Sequence, residues 1–220
     1  MSTGTRTRSA LLTCATVAAA SLLLLPSAAA HASAPGTVTT VISNLDNPRG
    51  LVLGSDGRLY VAEAGHGGSD CPAGAKGPEG QPVCFGTTGA FTRIAGGRAT
   101  RLTTGLASIA SPDGAGAEGL SALAQSAGGQ WALLMGLSSH ETIPGLSPAD
   151  TQTSNNQLGR LLTPGAATGT VTIAVVGGAG YAWAAAHKSY QPQQFRDANP
   201  FALRADGARF DVIDSGANSL

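Results

Sequence analysis

Oxygen-bearing side chains recur at matching places in this chain. Arg49, Glu118 and Asn199 stand where three similar segments begin, and Glu63, His66, Asp70, Asp214 and Asn218 follow the second halves of such segments. Asp, Glu and Asn side chains gathered at one mouth suit a hard divalent ion such as Ca²⁺ or Mg²⁺, which takes oxygen ligands. Arg49, His66, Glu118 and Asn218 are the residues expected to contact a ligand there. The same residue types also have a plainer use. Asn-Pro and Asp-Gly form turns, and Glu63 can bond loop backbone.

Other patterns fail on their context. Gly114-Ala115-Gly116-Ala117-Glu118-Gly119 matches GxGxxG, but it follows Ser111-Pro112-Asp113 and no βαβ unit surrounds it, so it reads as a flexible loop. Val175-Val176-Gly177-Gly178-Ala179-Gly180 has strand, glycine, helix order, yet Trp183 stands where close helix packing would need Gly or Ala. His140-Glu141 lacks the second histidine of HExxH, because Pro144 occupies its place. No G-x-S-x-G nucleophile elbow occurs. Tyr181, Trp183 and Tyr190 can stack on a ligand, but their spacing suits packing of a helix onto a sheet.

The elements that must position these residues follow from a repeat. Asn47 to Leu53, Asp56-Gly57 and Arg58 to Gly65 form the first copy; Asn199 to Arg204, Asp206-Gly207 and Phe210 to Gly216 form the last; a degenerate middle copy runs from Gly119 through Gly128-Gly129 to Gly136. Each reads strand, tight turn, strand, with Asp-Gly or Gly-Gly supplying the positive φ of two-residue hairpins. A second hairpin follows each of the first two copies: Ala90–Ile94 with Ala99–Thr103 around Gly96-Gly97, and Gln157–Leu162 with Thr170–Val176 around Pro164-Gly165. Two hairpins in series make a four-stranded meander, the unit of a β-propeller blade. The fold class expected is all-β, a partial propeller of about two and a half four-stranded antiparallel blades. Thr37–Ile42 reads as an extra strand, Leu137–Asn156 as a polar loop, and Ala182–Tyr190 as a short helix ended by Pro192.

Composition agrees. Charged residues are only 12% of the chain and glycines number 31, which favours many tight turns over solvated helical faces. Residues 1–32 have the form of a signal peptide: Arg6 and Arg8, an uncharged run from Ala10 to Leu25, Pro26, then small residues. Small residues at the exit favour cleavage over a membrane anchor, and Thr13 before Cys14 is the wrong order for a lipoprotein. Residues 33–220 are then the propeller domain. Basic and acidic residues number 13 each, and the signal removes two arginines, so no electrostatic footprint for nucleic acid or acidic lipid remains. Export would deliver Cys71 and Cys84 to an oxidising compartment, where a disulfide is expected, worth roughly 3 kcal/mol for so short a loop. Two blades and a half do not close a ring of 4–8. The expectation is a C-terminally truncated version of a longer protein, or one that self-associates through its open blade edges.

The blade phrase resembles the NHL and SMP-30/gluconolactonase-like propellers. More closely, Leu45 to Leu51, Leu59 to Gly65, and Gly77-Pro78-Glu79-Gly80 leading to Cys84-Phe85-Gly86-Thr87-Thr88-Gly89 resemble the N-terminal half of the ScyD/ScyE family of secreted proteins. Asn199 to Leu203 and Asp214 to Asn218 are similar to later segments of that family. Family members run on through several more blades, and most have no assigned activity. The resemblance implies a fold and a secreted location more than a reaction. In the lactonase-like propellers Glu, Asn and Asp hold a channel-mouth metal that polarises a substrate carbonyl; carried over, this implies Glu63, Asn199 and Asp214 as metal ligands. The reading is a secreted binding or accessory protein for an unknown small molecule or protein. A metal-dependent lactonase-like hydrolase and a non-functional fragment are the alternatives.

Overall fold

The computed structural model describes residues 36–77, 80–137, 143–167, 169–190 and 197–220. The signal sequence, the His140-Glu141 pair and Pro192 lie outside them. The chain divides into Met1–Thr39 and Thr40–Leu220; described residues 36–39 carry no regular element, and all that follows concerns the second unit.

That unit is mostly antiparallel β. A first sheet holds β1 (Pro48–Leu53), β2 (Leu59–Glu63), β3 (Cys84–Ala95) and β4 (Arg98–Ala110) in sequence order. A second holds β5 (Leu120–Gln125), β6 (Trp131–Met135), β7 (Arg160–Pro164) and β8 (Thr170–Val175), again in order. β9 (Pro200–Asp206) and β10 (Arg209–Asp214) make a hairpin. The leading strands are neighbours, β1 beside β5 and β5 beside β9.

The repeat is visible in the hydrogen bonds. Pro48 pairs with Glu63, Leu120 with Met135 and Pro200 with Asp214, which sets the three copies in register. The residue after each second strand then donates to the residue before each first strand: Ala64 N–H to Asn47 O at 3.0 Å, Gly136 N–H to Gly119 O at 2.8 Å, Ser215 N–H to Asn199 O at 2.9 Å. The turns also join one copy to the next, Ser55 N–H donating to Gln125 Oε1 at 2.8 Å and Ala127 N–H to Gly207 O at 3.2 Å.

β6 shows why the stack holds together. Its sequence, Trp-Ala-Leu-Leu-Met, does not alternate in polarity because both faces are buried. Trp131, Leu133 and Met135 pack with the first sheet's Tyr60, Ala62 and Phe91, whereas Ala132 and Leu134 pack with Leu203, Phe210 and Val212 of the last hairpin. Trp131 packs against both aromatic rings of the first sheet, 4.3 Å from Tyr60 and 5.1 Å from Phe91 between ring centroids.

Four local expectations need correction. Thr37–Ile42 forms no strand, and in the second unit Val41 stays exposed. Asp56-Gly57 and Gly128-Gly129 are not two-residue turns. Gly54 pairs with Arg58 and Ser126 with Gln130, so three residues lie between, and Gly57 (φ 74°) and Gly129 (φ 83°) take the left-handed last place. The segment Leu137–Asn156 contains a helix, α1 (Pro148–Gln157), started by Ser147, whose Oγ accepts from Asp150 N–H at 3.2 Å. A second helix, α2 (Val176–Ala186), begins six residues before Ala182 and absorbs the glycines. A Cβ on Gly180 would lie 2.3 Å from Asp214 Oδ2, so this close approach of α2 requires glycine.

Candidate functional site

The ends of the three copies where the chain enters β1, β5 and β9 carry the polar residues singled out by the sequence, and a cleft of about 430 Å³ opens at this end. One wall is the loop Ala75, Lys76, Gly77, Gln81 and Val83. This loop lies inside the ring closed by the Cys71–Cys84 disulfide, whose S–S distance is 2.00 Å. The expected pairing is therefore present, and it shapes the cleft. The floor is apolar, from Ile109 and Ala110 at the end of β4 and from Leu137. Glu118, Asp197 and Asn199 supply the opposite polar side.

Backbone pairing fixes Glu118: its N–H donates to Ile109 O at 2.7 Å and its carbonyl accepts from Ile109 N–H at 2.8 Å. Its side chain is half-buried. Burial pushes the carboxyl above its usual range, and the positive charge of Arg49 opposes that shift without reversing it. Arg49 donates from Nη2 to the neighbouring Ala117 carbonyl. No described residue donates a hydrogen bond to the Glu118 carboxylate. Two more acceptors on the cleft wall, Gln81 Oε1 and Asp197 Oδ1, are buried and have no hydrogen-bond partner among the described residues.

Leu137 holds a strained backbone at this site. It occupies the register position of Gly65, which has φ 83°, and adopts φ 60° despite its side chain. A left-handed conformation costs a residue with Cβ about 1–2 kcal/mol. Asn199 offsets part of this by accepting the Leu137 N–H on Oδ1 at 2.9 Å.

The other expected residues lie elsewhere. Glu63 is wholly buried, and its oxygens accept from Asp46 N–H (2.6 Å), from Arg101 Nη2 (2.7 Å) and Nε (3.2 Å), and from Thr92 Oγ1. Asp214 Oδ1 accepts from the N–H groups of Asn199 (2.7 Å), Gly216 (3.0 Å) and Ala217 (2.9 Å). Asn199 and Asp214 therefore meet, while Glu63 does the corresponding work in the first copy. Both Glu63 oxygens, Asn199 Oδ1 and Asp214 Oδ1 are taken by protein donors, and of this set only Asp214 Oδ2 is buried without a partner, so the three do not make a divalent-metal ligand set. Among the described residues no group of three or more His, Cys, Asp or Glu is placed to hold a metal ion. His66 is exposed and pairs with Asp46, Nδ1 to Oδ2 at 2.5 Å; Asp70 Oδ2 accepts from Ser147 N–H at 2.8 Å; Asn218 is exposed after β10 at φ 49°. None of these three lines the cleft. Gln81 and Asp197 were not singled out by sequence reasoning; the available signals were the disulfide-closed loop and an acid two residues before Asn199-Pro200.

Comparison of the chain with family models, with curated proteins and with solved structures returned no match. No helix among the described residues is long and apolar enough to cross a membrane.

Proposed function

We propose that this chain is an exported binding protein of propeller type, related to the ScyD/ScyE proteins, that takes a small molecule in the cleft between its disulfide loop and the starts of β5 and β9. The observation that carries this reading is the cleft itself: an apolar floor facing the polar residues Gln81, Glu118, Asp197 and Asn199. Small-molecule sites combine an apolar lining with a few placed polar groups.

The propeller reading draws support from the repeated closing bond and from the neighbouring leading strands. Leu51, Leu123 and Phe201 line a common groove along β1, β5 and β9, with Arg49 and Ser121. Exposed Leu51 and Leu53 on β1, and Phe201 and Ile213 on the last hairpin, are where further blades or a second copy would pack. The signal-like residues 1–32 and the disulfide support export.

The test is a ligand-observed NMR screen of small polar metabolites against the mature chain and a Ser111→Trp variant, in which an indole fills the cleft wall. Hits that bind the mature chain and are lost in the variant are expected. Hits unaffected by the substitution would place binding elsewhere and overturn the assignment.

A further inference from the structure

Resting on the propeller reading of the three copies, we infer that a second molecule of this chain docks head to tail, its first sheet against the last hairpin. Equivalent positions in the copies carry the argument. Leu51, Leu123 and Leu203 pair across their hairpins with Val61, Leu133 and Val212, so they hold one place in the three copies. Leu59, Trp131 and Phe210 are equivalent in the same register. In the second and third copies these positions form the face turned to the copy before. Leu123, Leu133 and Trp131 pack with Tyr60 and Ala62, and Leu203, Val212 and Phe210 pack with Ala132 and Leu134. The face turned to the copy after is therefore Tyr60 and Ala62 in the first copy and Ala132 and Leu134 in the second. In the third copy the matching residues are Asp211 and Ile213.

Both ends of this series are open. In the first copy the backward face leaves Leu51 65% exposed and Leu53 67% exposed. Leu51, Leu59, Val61 and Ile94 line a groove there of about 350 Å³, with Val41 and Leu45 on its other side. In the third copy the forward face begins with Ile213, 50% exposed, and its cross-strand neighbour Ala202. Farther along that face Arg204 and Asp211 pair with each other at 2.6 Å, so neither charge stands without its opposite. Twice inside the chain a forward face meets the backward face of the next copy. The two open faces are the two halves of a third such junction, and a second molecule supplies the missing half at each. Because the halves differ, the contact is heterologous, the end of one molecule against the start of the other. Two molecules joined so bring six leading strands together, within the ~4–8 blades of a closed propeller.

Light scattering on the mature, oxidised chain during size-exclusion chromatography, over a series of loading concentrations, tests this. A mass at least twice that of one chain is expected. Leu51→Asp and Ile213→Asp, each at an exposed position, should both give folded monomers. Mixing the two variants should restore association, because Ile213 of one and Leu51 of the other make an intact junction. Variants that stay monomeric when mixed would show each face meeting its own kind, and would overturn the head-to-tail contact. Association that survives both substitutions, or that Val171→Asp on the exposed β8 strand abolishes instead, would overturn it too. So would a monomeric unsubstituted chain. If that monomer keeps the close approach of the Gly50 and Ala122 α-carbons across β1 and β5, read by NMR, the copies still stack and only the docking fails. If that approach is missing as well, the propeller reading falls with it.

Discussion

Asp214 stands in the third copy where Glu63 stands in the first. Each ends a second strand, and each carboxylate accepts a backbone N–H from the chain entering the paired first strand: Asn199 for Asp214 and Asp46 for Glu63. Glu63, longer by one methylene, reaches one residue farther back in the register. In the middle copy the position is Met135, which is fully buried in the core. The two acids are clasps of the repeat.

Removing a clasp should therefore unfold the protein more easily. Glu63→Gln places an amide NH₂ among groups that all donate, and Asp214→Ala leaves three N–H groups without their acceptor. Each substitution is expected to lower the unfolding free energy by about 2–3 kcal/mol. Arg101 is half-exposed and can rehydrate, which keeps the Glu63 figure from being larger. Urea titration at neutral pH measures both, and a loss under about 1 kcal/mol would contradict the clasp role.

Asn199 is expected to act as a latch on Leu137. Asn199→Ala removes the acceptor for a strained residue's N–H and should cost about 1 kcal/mol. The Leu137 amide should exchange with solvent faster, and Asn199→Asp, which keeps an oxygen there, should restore protection. Unchanged exchange in the alanine variant would show that the latch does not hold.

The copies were legible in the sequence because glycine turns and apolar strands mark them directly. The joined sheets β1–β4 and β5–β8 follow from Asp56-Gly57, Gly96-Gly97 and Gly128-Gly129 with their flanking residues. α1 was missed although Ser147-Pro148-Ala149-Asp150 carries a helix-start signal, because the helix that follows is polar throughout and offers no apolar stripe. The site was half legible. Glu118 and Asn199 reach the cleft, but Glu63 and Asp214 turned inward, since residue type alone does not say whether a carboxylate faces ligand or its own backbone. Gln81 came into the wall through the disulfide ring, a long-range constraint with no local spacing to announce it.

That ring should matter for binding as well as for stability. The Cys71→Ser/Cys84→Ser double variant is expected to lose about 3 kcal/mol of stability and to bind cleft ligands at least tenfold more weakly, because Gln81 and Val83 are no longer held. Parallel calorimetry and denaturation at a temperature where the variant is folded would check this; full affinity in the folded variant would contradict it.

Glu118 predicts a pH signature with a definite sign. Its carboxyl is raised by burial against the pull of Arg49, with Lys76 and Asp197 on the same cleft. A carboxyl that protonates more readily in the folded state costs stability when ionised; that cost is complete above the folded pKa and vanishes as pH falls below the unfolded value. Glu118→Gln should therefore raise the unfolding midpoint at pH 7–8, by a margin that closes on acidification. Thermal scans from pH 8 to pH 4 test it, and a margin that widens in acid would contradict it.

The cleft and the two clasps depend on the copies standing side by side with their leading strands adjacent. At the first junction a Cβ on Gly50 would lie 3.2 Å from the Ala122 Cα, so the two α-carbons nearly touch across β1 and β5. A NOESY spectrum of the assigned mature chain should show a strong cross-peak between the α-protons of Gly50 and Ala122. Both resonances assigned and no cross-peak between them would show that the copies do not stack this way.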